Sequence, residues 1–185
     1  MVLYCADDLN NDGQAYDLLA LAVRREWGLS PLPEIRREDG GKPYFPGLEQ
    51  RQFNLSHSGT LALCGLDEAP VGVDIQIVKQ WRPKLPARVC CQAELDWLDR
   101  QPDPGLGFAA LWSLKEARVK QSGLGLRTHI REIKIPLPER WDGPVLLDGL
   151  WFRVYFGEDF AAAACGLTPP PEKFFQFRLN LSPES

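Results

Sequence analysis

Histidine is scarce in this chain: only His57 and His129 occur in 185 residues. A zinc centre built from several histidines is therefore unsupported. The five cysteines, Cys5, Cys64, Cys90, Cys91 and Cys165, are odd in number and form no Cys-x-x-Cys pair. That argues against a disulfide framework and for a reducing, cytoplasmic setting. No apolar run approaches the length needed to span a bilayer. Met1 to Ala6 is too short, and lacks the basic flank, to read as a secretory signal. A basic excess is missing too. The formal net charge is -4, which gives nucleic-acid binding no global electrostatic support. There is no Gly-x-Ser-x-Gly elbow, and the glycines at Gly40-Gly41 and Gly123-Leu124-Gly125 make neither a Walker loop nor a dinucleotide fingerprint. What is left is an ordinary globular composition, 44% hydrophobic and 25% charged, long enough for one domain with a real core or two small lobes.

Along the chain, Val2 to Cys5 reads as a first strand and Asp7 to Gly13 as an acidic turn. Ala15, Leu18, Leu19, Ala22, Val23 and Trp27 recur at helical spacing, with Gly28 as the stop. Pro31 to Gly41 is a polar connection. Three apolar runs then follow, Arg51 to His57, Leu61 to Leu66 and Val71 to Val78, separated by turn signals, which predict a three-stranded antiparallel meander. Gln80 to Ala87, with Pro83 and Pro86, reads as a linker. Helices near Gln92 to Arg100 and Gly107 to Gln121 precede strands near Ile130 to Ile135, Leu150 to Phe156 and Ala161 to Leu167. Ala62-Leu63-Cys64-Gly65-Leu66 echoes Ala163-Ala164-Cys165-Gly166-Leu167. The recurring order predicts an α+β fold of two similar lobes, residues 1–79 and 88–168, joined by a linker at 80–87, and a cleft between lobes is a common place for a ligand. Residues 169–185 form a peripheral tail, and a monomer suits the pattern.

Chemistry concentrates in three stretches. In Trp112–Gly123, helical spacing puts Trp112, Lys115, Glu116, Val119 and Lys120 on one stripe, running from a packed end into a polar cleft. By itself the Glu116–Lys120 spacing describes a solvated ion pair contributing about 0.2–0.5 kcal/mol. In Val71–Ile77, Asp74 and Gln76 share one strand face among apolar neighbours. With Glu116 they offer oxygen ligands suited to a hard cation such as Mg²⁺. In Phe53–Gly59, His57 lies at a strand end beside Ser56, Ser58 and Gly59. Ser56 and His57 point to opposite strand faces, which argues against a nucleophile–base pair.

Gly40 to Phe45 (GGKPYF), FNLSHSG, VGVDIQ and WSLKEARVKQSG together resemble the 4′-phosphopantetheinyl transferases of the surfactin-synthetase-activating type. The resemblance implies a pseudo-twofold pair of similar α/β lobes with the active site at their interface. It also implies Mg²⁺-dependent transfer of the 4′-phosphopantetheine arm of coenzyme A to a serine of an apo acyl or peptidyl carrier protein. By the resemblance, Asp74 and Glu116 are the metal-binding acids, with Gln76 where many members carry a second acid on the strand. Glu116 and Lys120 are catalytic. Lys42, Ser56, His57, Lys115 and Lys120 contact coenzyme A, and Pro43 belongs to its adenine-side loop. One departure stands out: Asp7 to Gly13 is short and acidic where the family usually carries a basic segment that grips the 3′-phosphate. Arg24, Arg25, Arg36, Arg37 and Arg51 are the possible substitutes. Carrier docking is expected around Trp81, Arg82, Lys84, Leu85 and Arg88. The alternative reading is a non-catalytic homologue that binds coenzyme A or a carrier.

Overall fold

The computed structural model describes residues 1–78, 84–123, 125 and 129–180. Trp81 and Arg82, expected at the carrier surface, lie outside these. Two four-stranded sheets carry the fold. The first, in the order β10-β1-β5-β4, contains β1 (Val2–Ala6), β4 (Gln52–Ser58), β5 (Leu61–Asp67) and β10 (Phe175–Phe177). The second, in the order β6-β9-β8-β7, contains β6 (Val71–Ile77), β7 (Val145–Leu147), β8 (Leu150–Phe156) and β9 (Phe160–Gly166). A short hairpin, β2 (Arg36–Arg37) with β3 (Pro43–Tyr44), stands apart.

Each sheet carries one long helix. The apolar stripe Ala15, Leu18, Leu19, Ala22 and Val23 of α1 (Gln14–Trp27) packs with Tyr4, Phe53 and Cys64 of the first sheet. In α4 (Pro104–Ser122), Leu111, Leu114 and Ala117 pack with Phe152, Val154 and Ala163 of the second. A third cluster, Leu3, Cys5 and Leu63 with Val71, Val73, Ile75, Ala162 and Ala164, lies between the sheets. The layers therefore run helix, sheet, sheet, helix. The order β1-α1-β4-β5 recurs as β6-α4-β8-β9, with the same antiparallel pairings in each. The echoed pentapeptides fall in β5 and at β9, each flanked by two partner strands within its own sheet.

The helices begin and end where local chemistry dictates. Asp103 caps α4 by accepting from the backbone N–H groups of Gly105 and Leu106, ahead of Pro104 in the first turn. Gly123 closes it at φ 72°, a left-handed conformation that glycine adopts without strain. Two short helices, α2 (Leu85–Val89) and α3 (Gln92–Leu98), lead into α4. Glu94 completes a capping box on α3 through a 2.8 Å bond from the Cys91 backbone N–H.

Three expectations are corrected. The run Val71–Ile77 is not the third strand of a meander. β4 and β5 form a hairpin, but β6 crosses to the second sheet and pairs with β9. Its alternating apolar pattern fits either sheet equally well. The run Ile130–Ile135 is not a strand but a 3₁₀ turn over Ile130–Glu132 followed by extended chain. The carbonyls of Ile130 and Ile133 instead accept from Lys115 Nζ. The tail, as far as it is described to residue 180, continues the regular structure, because β10 pairs parallel with β1 at the border of the first sheet.

Candidate functional site

The position of α4 against β6 is set by Gly72. A Cβ there would lie 1.9 Å from the Ala117 carbonyl oxygen and 2.4 Å from the Gln121 nitrogen. Only a residue without a side chain lets strand and helix backbone come this close. The same contact brings the next inward residue of β6, Asp74, beside Lys120 on the helix. Lys120 Nζ lies 2.7 Å from Asp74 Oδ1 and also donates to Ser56 Oγ at 3.0 Å and to the Val73 carbonyl at 3.3 Å. Lys120 therefore pairs with Asp74 and is not half of the solvated Glu116–Lys120 pair that helix spacing alone would describe. Asp74 is 2% exposed, and both its oxygens are engaged: Oδ1 also accepts from Ser56 Oγ at 2.6 Å, and Oδ2 from Gln76 Nε2 at 2.9 Å.

A cavity of about 480 Å³ opens over this cluster. Glu116 and Lys120 of α4 line it together with His57 of β4, Lys42 and Pro43 of the hairpin, Arg37 beside them, and Asp12 and Tyr16 from the start of α1. Residues from both structural repeats therefore form its wall. Burial raises the pKa of Glu116 above the ordinary glutamate value, the Asp74 charge raises it further, and Lys120 offsets part of the rise. Lys42 donates to the Gln121 carbonyl at 3.1 Å, near the end of α4, and burial lowers its pKa. Gln121 therefore ties the hairpin to the helix. His57 Nδ1 is 3.5 Å from Asp12 Oδ1 at the exposed mouth.

Of the residues named from sequence, Glu116, Lys120, Lys42, Pro43 and His57 line the cavity. Ser56, Asp74 and Gln76 form the hydrogen-bonded layer next to Lys120. Lys115 belongs to neither group. It is fully buried, paired with Glu94 at 2.8 Å and bonded to the Ile130 carbonyl at 2.9 Å. Its ammonium is committed to the core of the second repeat, and the expected contact with coenzyme A is corrected accordingly. Among the candidate arginines, Arg37 alone lines the cavity; Arg36 pairs with Glu34, Arg25 stacks over Phe175, and Arg51 lies over Trp27. Arg37 also donates to the Gly41 carbonyl at 2.9 Å, which fixes it across the hairpin. Glu94 and Asp12 were not singled out from sequence. The capping-box spacing from Cys91 was the available signal for Glu94, and Asp12 had none.

The donor set fits a hard divalent cation in composition. Two carboxylates, Asp74 and Glu116, come close enough for one charge to shift the other, and Mg²⁺ typically takes one or two carboxylates and completes its shell with water and phosphate. Lys120 supplies a positive charge to Asp74. No group of three or more His, Cys, Asp or Glu suited to a metal occurs among the described residues. Gln76 turns its Nε2 to Asp74, so the amide orients that carboxylate. No helix of the described residues is long and apolar enough to cross a membrane.

Comparison with known proteins identifies the family. A Bacillus subtilis 4′-phosphopantetheinyl transferase is 33% identical over 162 residues, 82% of this chain and 71% of that one. The Bacillus subtilis (strain 168) transferase Sfp is 34% identical over 113 residues, 60% of this chain and 50% of its own. The AcpT transferase of Salmonella typhimurium is 40% identical over 110 residues, 57% of each chain. The chain thus spans between half and about seven-tenths of the length of these relatives. A solved Thermotoga maritima holo-[acyl-carrier-protein] synthase is similar at TM-score 0.41 and 18% identity over 55% of this chain and 64% of that one, a distant likeness that adds nothing to the assignment. Residues 70–165, which run from just before β6 almost to the end of β9, match the family profile, and the chain belongs to the 4′-phosphopantetheinyl transferase superfamily.

Proposed function

We propose that this chain transfers the 4′-phosphopantetheine arm of coenzyme A to a serine of an apo acyl or peptidyl carrier protein. The observation that carries the reading is the meeting of Glu116 and Lys120 on one cavity wall, beside Asp74, with Lys42, Arg37 and His57 around the remainder. A chain of net charge -4 has to collect cations locally to hold a polyanion, and these side chains do so in one place.

In the proposed reaction the carrier serine oxygen attacks the phosphorus bonded to pantetheine. The new P–O bond forms as the bond to adenosine 3′,5′-bisphosphate breaks. Glu116, directly or through water, takes the serine proton as general base. Lys120 neutralises charge on the phosphoryl oxygens, and alignment supplies most of the remaining rate enhancement. Asp74 and Glu116 would hold Mg²⁺, which when bound supplies charge neutralisation at the diphosphate. Arg37 is the natural partner for the 3′-phosphate in the absence of a basic segment before α1. Carrier docking is assigned to Lys84, Leu85 and Arg88 on and beside α2, whose two basic residues suit an acidic carrier.

Mass spectrometry of an apo carrier incubated with the protein, coenzyme A and Mg²⁺ tests the reading. The expected result is a mass increase equal to one phosphopantetheine arm, abolished by EDTA. The acidic loop before α1, with Asp12 facing His57, favours a second reading as a coenzyme A-binding protein without transferase activity. Tight coenzyme A binding with an unmodified carrier would select it.

A further inference from the structure

We infer that Ser56 is a positioning residue: it holds the Asp74 carboxylate and the Lys120 ammonium in register across the seam between the two sheets and does not touch the substrate phosphates. This rests on the transferase reading above. A serine hydroxyl offers one proton and two acceptor positions. In Ser56 the proton goes to Asp74 Oδ1 at 2.6 Å, and the oxygen accepts from Lys120 Nζ at 3.0 Å and from the Ile75 backbone N–H at 3.4 Å. Every position is filled by protein, and the residue is 6% exposed. Asn54, Leu55 and His57 of the same strand line the cavity, whereas Ser56 does not.

The three groups come from three elements: β4 of the first repeat, and β6 and α4 of the second. No backbone ladder joins β4 to β6. Side chains of β4 do so instead: Asn54 Oδ1, Ser56 Oγ and Ser58 Oγ accept in turn from the backbone N–H groups of Val73, Ile75 and Ile77. The middle rung alone also touches two charged groups of the site. Removing its hydroxyl leaves Asp74 Oδ1 with one donor fewer and Lys120 with one acceptor fewer, so both lose orientation while the cavity wall stays intact.

The test compares Ser56→Ala with Ser58→Ala, which removes a rung of the same kind that touches neither Asp74 nor Lys120. Steady-state transfer to an apo carrier gives kcat, the KM for coenzyme A and the Mg²⁺ concentration for half-maximal activity. Thermal melting checks folding. Ser56→Ala is expected to lower kcat or raise the Mg²⁺ requirement by about 10–100-fold, the usual range for residues that orient metal ligands, with the KM for coenzyme A changed less than about threefold. Ser58→Ala is expected to keep wild-type kinetics while melting no higher than Ser56→Ala. A rise in KM of about tenfold or more with kcat and Mg²⁺ requirement unchanged would overturn the inference, because it would place Ser56 on the phosphates. Equal kinetic losses in both variants would overturn it as well, by reducing the effect to seam stability. If the wild-type protein transfers nothing, the functional reading falls and this role falls with it.

Discussion

Glu116 carries opposite consequences for function and stability. Burial and the Asp74 charge raise its pKa, so the folded state holds its proton more tightly than the unfolded chain. Ionising it therefore opposes folding as pH rises through the ordinary glutamate range up to the raised value. Glu116→Gln in the metal-free protein should melt higher than wild type at neutral pH, and the gap should close as pH falls from the raised value through the ordinary glutamate range, being gone below about 4, where both states are protonated. Melting curves across pH check this. The same substitution should lower transfer by about 10²–10⁴-fold. Lys115 presents the reverse case. Lys115→Met strands the buried Glu94 carboxylate, which should destabilise the protein by about 3–5 kcal/mol. Urea unfolding measures it, and Glu94→Gln with Lys115→Met should recover part of the loss. Strand alternation and helix spacing say which side chains share a face, and the resemblance carried by four motifs, not the spacing, marks Asp74, Glu116 and Lys120 as the candidates. The sequence could not separate Lys115 from Glu116. Neighbours on a helix point about 100° apart, and that rotation takes Lys115 into the second-repeat core.

Among the elements, β6 and α4 act as a unit. Gly72→Ala places a Cβ against helix backbone on two sides. Backbone cannot give way as a flexible side chain can, so α4 must move and the Asp74–Lys120 bond must lengthen. Loss of transfer with a stability drop of at least about 1–3 kcal/mol is expected, read by activity and thermal melting together. The long elements were legible because seven to nineteen residues show their periodicity. β2, β3, β7 and β10 span two or three residues each, too few to show alternation. The partner of β6 was hidden for another reason. A strand that is apolar on one face reads the same whichever sheet receives it, and proximity in sequence pointed to the hairpin beside it.

At the scale of the whole molecule, the C-terminal strand returns to the beginning of the chain. β10 lies against β1, Arg25 of α1 stacks over Phe175, and the Asp8 carboxylate accepts from the backbone N–H groups of Leu179 and Asn180 at 2.9 Å each. Asn180 also accepts from Gln14. The end of the chain therefore fastens the acidic loop that reaches the cavity mouth through Asp12. Truncation after Pro171 should speed amide exchange in Asp7–Gly13 well before it affects α4, as hydrogen exchange with mass spectrometry would show.

The seam has a further consequence. β4 and β6 are each the last strand of their sheet on that side, so each would otherwise present a row of unanswered amides or carbonyls. Such a border recruits stray strands from other molecules. Along β6 the row is answered by a carboxamide and two hydroxyls of β4. The first repeat thus shields a vulnerable margin of the second, and the second half produced alone should self-associate through the uncovered β6.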